Sequence, residues 1–159
     1  MERMWITNGS TSLPPVINPL AAACHDGYIP TSIHVLSNPT IEAVTESVTT
    51  MAKTVVTASG GDEPDVEVTT IDEETEFGAI AEYLADAIQA ARSAEAEVAV
   101  DITPGRKFWS FISVQSGLHH DVDHLYYVHI DGGYFGETFP TIPRTAIELY
   151  DFTEVLDAR

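Results

Sequence analysis

Val98-Ala99-Val100 leads into Asp101-Ile102-Thr103-Pro104-Gly105-Arg106-Lys107 and then into Phe108-Trp109-Ser110-Phe111. An apolar strand, a glycine-containing turn and an aromatic run read as strand, turn and helix, and the recurrence of that unit decides the fold. The turn holds two of the chain's seven Lys and Arg residues side by side, against a formal charge of −18. Gly105 lets backbone N–H groups approach a ligand, the helix N-terminus offers unpaired donors and partial positive charge, and Arg106 and Lys107 add formal charge. Together these compose a candidate phosphate site. The competing reading is a capped turn, with Asp101 or Thr103 serving the backbone and the cations solvated or paired with nearby carboxylates.

Outward from this turn, Met4-Trp5-Ile6-Thr7-Asn8 reads as a first strand, ended by the loop Gly9-Ser10-Thr11-Ser12. Pro14-Pro15 open a helix, since proline is tolerated in a first turn, with Val16, Ile17, Leu20 and Ala21 on its buried side. Ser32-Ile33-His34-Val35-Leu36-Ser37 is a second strand. Asn38-Pro39 forms a helix cap and N1 proline ahead of Ile41, Val44, Val48, Met51 and Val55 at helical spacing. Residues 66–70 alternate as a strand after the acidic loop 59–65, and Phe77, Ile80, Leu84, Ile88 and Ala91 make an amphipathic helix ending near Arg92. A fourth strand at 97–102, a helix from about 108 to 116, a fifth strand at 124–130, a loop at 131–136 and a sixth strand at 146–151 follow.

Strands alternating with helices through short loops pair in parallel by right-handed crossovers. The expected fold is a single α/β, Rossmann-like domain over residues 1–159, with a mainly parallel six-stranded sheet and helices on both faces. Ligands of such sheets collect outside the carboxyl ends of the strands. The loops after strands one, two and four place Gly9, Ser10, Thr11, Ser12, Asn38, Thr40, Thr103, Gly105, Arg106 and Lys107 on that edge.

At 159 residues, 44% of them hydrophobic, the chain suffices for one domain with a real core. No segment approaches the roughly 20 apolar residues a bilayer requires. Met1-Glu2-Arg3-Met4-Trp5 runs into a strand, not a signal-peptide core, and Cys24 is the only cysteine. A soluble, unprocessed cytoplasmic protein is expected. Its 25 Asp and Glu suit a high-salt cytoplasm, where dense carboxylates keep a surface hydrated and salt shrinks the Debye length; an acidic mesophilic protein is the other reading. In low salt the charge repels polyanions, and no duplex nucleic acid is expected as a partner.

Gly9-Ser10-Thr11-Ser12 is neither a GxGxxG fingerprint nor a P-loop. Its hydroxyls and N–H groups either hold phosphate or ribose, or simply cap a helix. His119-His120-Asp121-Val122-Asp123-His124 matches no strong zinc spacing and reads as a solvated turn. His25, His34 and His129 read as core or edge packing, and the acidic run 62–76 as a solvated face. Neither a metal nor a cofactor is expected. Phe108, Trp109, Phe111, Ile112 and Val114 spread over more than one helix face, which a two-fold interface or an overfolded loop 134–140 would cover.

The pattern Asp101-x-Thr103-x-x-x-Lys107 after the fourth strand, with Gly9-Ser10-Thr11 after the first, resembles the CRISPR-associated Rossmann fold, or CARF, family. That family's motif runs Asp/Asn-x-Ser/Thr-x-x-x-Arg/Lys. The element order is similar across nearly the whole chain, while Pro104-Gly105-Arg106 departs from the Gly-Gly-Thr of many members. The resemblance implies a homodimer that binds cyclic oligoadenylate, a tetra- or hexa-adenylate ring, across its two-fold axis.

The chain closes soon after its sixth strand, so two functions are weighed. One is a metal-independent ring nuclease, in which a ribose 2′-oxygen attacks the adjacent phosphate. Lys107, with Arg106, then stabilises the growing charge, and Ser10 or Thr11 orients the ribose. No general base is apparent. The other is a non-catalytic sensor or sequestering module acting with a separate partner. A Rossmann-like enzyme of nucleotide metabolism is a third reading.

Overall fold

The computed structural model describes residues 1–156; the last three residues of the expected 1–159 unit lie outside the described residues. In order along the chain come β1 (Arg3–Asn8), α1 (Pro14–His25), β2 (Ser32–Ser37), α2 (Glu42–Ala58), β3 (Asp65–Thr70) and α3 (Phe77–Ser93). β4 (Glu97–Asp101), α4 (Lys107–His119), β5 (His124–Ile130), β6 (Ile147–Asp151) and α5 (Phe152–Leu156) complete the elements. The six strands form one sheet in the order β3-β2-β1-β4-β5-β6. Five are parallel and β6 is antiparallel to β5. Glycines 132, 133 and 136 and prolines 140 and 143 keep the β5–β6 connection from forming a crossover helix, so the chain returns antiparallel.

Helices cover both faces. Met4, Ile6, Val98 and Val100 pack under α3 and α4, while Trp5, Ile33, Val35 and Ala99 pack under α1 and α2. Central strands buried on both sides read as continuous apolar runs instead of alternating ones, which is why β1 and β4 were legible. Among the described residues, no helix is long and apolar enough to cross a membrane.

Two helices differ from their expected phase or cover. A 3₁₀ turn at Pro39–Ile41, capped by Asn38 Oδ1 accepting from the Thr40 N–H at 3.0 Å, precedes α2. At three residues per turn it rotates the helix that follows, so Thr45, Val48, Ala52 and Val56 are buried and Met51 is exposed. α4 faces the sheet through Trp109, Ser113 and Gly117; a Cβ on Gly117 would stand 2.5 Å from Leu125 Cδ2. Its outward face leaves Phe111 72% exposed, with Leu118 also exposed. The 134–140 segment does not cover that face. It lies on α1, where the Asn18 side chain donates to Glu137 O at 2.9 Å and accepts the Phe139 N–H at 2.8 Å.

At the sheet's other edge, His124 bridges two carboxylates, Nδ1 to Asp151 at 2.7 Å and Nε2 to Glu97 at 2.9 Å, while Arg3 pairs with Glu97 at 2.6 Å. Two carboxylates, one on each ring nitrogen, favour the doubly protonated imidazole. The Asp151 bond raises its pKa, burial opposes, and Glu97 raises it further, for a net rise. Burial pushes the Asp151 carboxyl up, but hydrogen bonds from His124, Thr153 and Leu125 bring it down to about 2. The raised imidazole stabilises the fold fully below its ordinary pKa of 6.5 and loses that contribution as pH rises through the raised value. The lowered carboxylates contribute above about pH 4 and fail only on strong acidification. His124→Gln is expected to lower the melting temperature by about 5 °C near pH 5.5 and by progressively less towards pH 9, followed by circular dichroism at constant KCl. A gap independent of pH would show that the imidazole is neutral.

Candidate functional site

In a sheet ordered β3-β2-β1-β4-β5-β6, connections run one way from β1 and the other way from β4, so a crevice opens between the carboxyl ends of these two strands. The 9–12 and 103–106 loops meet there. Gly105 sits at φ +81°, and a Cβ on it would lie 2.6 Å from Asn8 Nδ2, so only glycine brings the two loops this close. Gly9 is packed equally tightly: its N–H donates to Leu36 O at 2.7 Å, and an added Cβ would meet Ile41 Cδ1 at 2.6 Å.

Asp101 lies beneath this ridge, fully buried. Its carboxylate accepts the Thr7 hydroxyl at 2.9 Å and the Thr103 N–H at 2.9 Å, and its backbone oxygen accepts Trp109 Nε1–H at 3.1 Å. The Thr103 hydroxyl also donates to Asp101, and accepts the Val128 N–H at 3.0 Å. Both residues therefore do what the capped-turn reading assigns to them. Burial pushes the Asp101 carboxyl up to about 7, outweighing the lowering by the Thr103 and Thr7 donors.

Two clefts flank the ridge and share Ser10 and Gly105 as their common wall. The first, about 300 Å³, lies towards β2 and is lined by Asn8, Gly9, Ser10, Thr11, Asn38, Gly105 and Arg106, together with Glu74 and Phe108. The second, about 420 Å³, lies towards β5 and is lined by Ser10, Ser12, Asn18, Thr103, Gly105, Tyr127, His129 and Phe135. α4 begins at Lys107 with Arg106 as an extended N-cap residue that makes no side-chain cap bond.

Of the expected site residues, Gly9, Ser10, Thr11, Ser12, Asn38, Thr103, Gly105 and Arg106 line one or both clefts. Asp101 supports them from below. Thr40 is exposed, with its N–H turned to Asn38, and Lys107 is exposed at the start of α4; neither lines a cleft. Arg106 is engaged: its Nε and Nη2 donate to the two Glu74 carboxylate oxygens at 3.3 and 3.1 Å.

Sequence reasoning missed Asn8, Glu74, Phe108 and the aromatic wall of the second cleft. Glu74 was hidden in an acidic run, and Phe108 was grouped with the aromatic surplus of α4 expected to meet an interface or loop. His129, read as packing, is instead exposed and lines the second cleft; its place on β5 beyond the last β4 residue is a signal only once the strand register is known. In the acid stretch 119–124, Asp123 serves Arg92 and the Val98 N–H, and His124 turns to Glu97 and Asp151.

Ionisation of Asp101 works against the fold. Because its folded pKa is raised, its contribution is fully present below about pH 4 and is lost as pH rises through about 7. Asp101→Asn, which keeps the shape and removes the charge, is expected to cost about 1–3 kcal/mol at pH 5 and clearly less at pH 8, measured by thermal melting. A cost that grows with pH would mean the carboxylate is needed ionised.

No family model and no curated protein sequence matches the chain. Solved structures match its fold. A type III CRISPR defence DNA nuclease activated by cyclic oligoadenylate superposes with a TM-score of 0.57 at 14% identity, over 82% of this chain and 19% of that one. Csm6 of Enterococcus italicus, bound to cyclic hexa-2′-fluoro-hexa-dAMP, gives 0.61 at 11% identity, over 86% of this chain and 35% of that one. Can2 from Sulfobacillus thermosulfidooxidans, in complex with cyclic tetra-adenylate, gives 0.52 at 10% identity, over 84% of this chain and 33% of that one. The chain thus corresponds to about a fifth to a third of each of these proteins and shares with them an α/β Rossmann-like fold.

Proposed function

We propose that this chain is a CARF domain that binds cyclic oligoadenylate at a homodimer interface and cleaves it slowly without a metal, in a high-salt cytoplasm. The observation that carries the reading is the paired clefts around Ser10 and Gly105 at the β1/β4 crevice, in a fold shared with proteins solved with cyclic hexa-2′-fluoro-hexa-dAMP and cyclic tetra-adenylate. A nucleotide chain crossing the ridge sets a phosphate against Gly105 and the α4 N-terminus and a nucleoside in each cleft. Gly9, Ser12, Asn38, Thr40 and Thr103 add polar contacts around it.

In cleavage, Ser10 or Thr11 holds a ribose so that its 2′-oxygen lies in line with the adjacent phosphate. The O2′–P bond forms as the P–O5′ bond breaks, leaving a 2′,3′-cyclic phosphate and a 5′-hydroxyl, the proton passing to solvent and from solvent to the leaving oxygen. Arg106 and Lys107 stabilise the charge that develops on phosphorus. A non-catalytic sensor or sequestering module is the second reading. It is favoured by Arg106 being held by Glu74 while Lys107 lines neither cleft, so among the described residues no unpaired cation lines either cleft.

The dimer rests on α4. Phe111, Val114 and Leu118 border an apolar hollow of about 600 Å³ with Tyr127 and Phe152, on the face that the 134–140 segment leaves open. A two-fold partner covering that hollow brings a second Arg106–Lys107 turn alongside the first.

Purified protein in molar KCl and EDTA, incubated with radiolabelled cyclic tetra- and hexa-adenylate, tests the proposal. Linear di- or tri-adenylate marks a ring nuclease, an unchanged ring with a mobility shift marks the sensor, and no shift with either ring removes the CARF function. Lys107→Ala is expected to abolish binding or cleavage with the melting temperature within about 2 °C of wild type; a larger loss of stability would make the turn structural. Phe111→Glu is expected to give a monomer by light scattering and to weaken ring binding at least about tenfold; an unchanged dimer would move the interface elsewhere.

A further inference from the structure

Arg106 and Glu74 both line the first cleft, and Glu74 presents its two carboxylate oxygens to the Arg106 fork at 3.3 and 3.1 Å. A planar guanidinium donates to carboxylate and to phosphate in the same two-point geometry. Glu74 comes from the loop between β3 and α3, on the far wall of the cleft, and its side chain is about half exposed.

Resting on the reading of this cleft as a cyclic-oligoadenylate site, we infer that Glu74 is a built-in occupant of the phosphate subsite, a gate the ligand displaces to reach Arg106. Two effects set the threshold. The ligand loses the Arg106–Glu74 pair, worth little in an exposed position. It also leaves the freed carboxylate within a few ångströms of the arriving phosphate, a like-charge contact that salt weakens. Most ion pairs between a protein and a nucleotide are weakened by salt. Here salt also removes part of the obstacle, so affinity falls less steeply with ionic strength than it does once Glu74 is neutral.

The position of Glu74 also gives its displacement a route outward. Its loop is continuous with α3, whose first residue, Phe77, meets Phe108 of α4 edge-to-face at 5.0 Å between ring centroids. The gate residue thus lies three positions before the α3–α4 contact.

Wild type, Glu74→Gln, Arg106→Gln and the double variant, titrated calorimetrically with cyclic tetra- and hexa-adenylate in about 0.2 M and about 2 M KCl with melting recorded in each, test the gate. Glu74→Gln is expected to bind about three- to tenfold tighter than wild type at the lower salt and within about twofold at the higher. Added to Arg106→Gln, it should give a smaller gain, since only the like-charge contact is then left to relieve. Equal or weaker binding by Glu74→Gln, or a gain undiminished in the double variant, overturns the gate and leaves ring binding standing. Rings that bind none of the variants overturn the gate together with the proposed function.

Discussion

The Asp101 carboxyl is the joint on which the rest of this edge depends. It takes the Thr7 hydroxyl from the end of β1 and the Thr103 N–H from the turn after β4, while its own backbone oxygen takes Trp109 from the first turn of α4. One residue thereby fixes two neighbouring strand ends and the helix that leaves them. The cost is a carboxyl sealed from water, and it shows as a pKa lifted by burial to about 7, against which the Thr103 and Thr7 donors pull down. Once those three elements are fixed, Gly105 must pass within contact of Asn8, and the clefts on either side follow from that closeness.

Electrostatics across the molecule obey a scarcity of cations. Among the described residues, Arg3 pairs with Glu97, Lys53 with Glu63, Arg92 with Asp123, Arg106 with Glu74 and Arg144 with Asp26. Lys107 is the one described Lys or Arg without a carboxylate within 4.0 Å. Reading positive charge at the turn as a sign of an anion therefore holds in a narrower form. Arg106 is paired locally with Glu74, as most described cations of so acidic a surface are paired, and among the described residues Lys107 is the one left available.

The central strands β1 and β4 were legible because strands buried on both faces write themselves as short apolar runs, and Ser32–Ser37 and His124–Ile130 have the expected bounds. α5 was not anticipated: Phe152–Leu156 is too short to show a helical period against its surroundings. The phase of α2 was misread because a 3₁₀ turn is invisible to a 3.6-residue count. At the site, glycines and hydroxyls at strand ends were legible because the edge chemistry requires them. Glu74, Tyr127 and His129 were not, because the loop after β3 and the far end of β5 meet the ridge only through strand order, which no local pattern encodes.

α4 links the parts of the proposed mechanism. Its sheet-facing stripe is narrow, Trp109 and the small residues Ser113 and Gly117, so the helix lies close and is held by shape along its length. In the proposed dimer its N-terminus meets the ligand phosphate, its outward Phe111 and Leu118 meet the partner, and Phe108 meets the helix behind Glu74. A shift of its first turn on ligand entry cannot be absorbed locally without opening space beneath Trp109. In the proposed dimer such a shift would reach the partner face, which would tie ligand occupancy to subunit geometry.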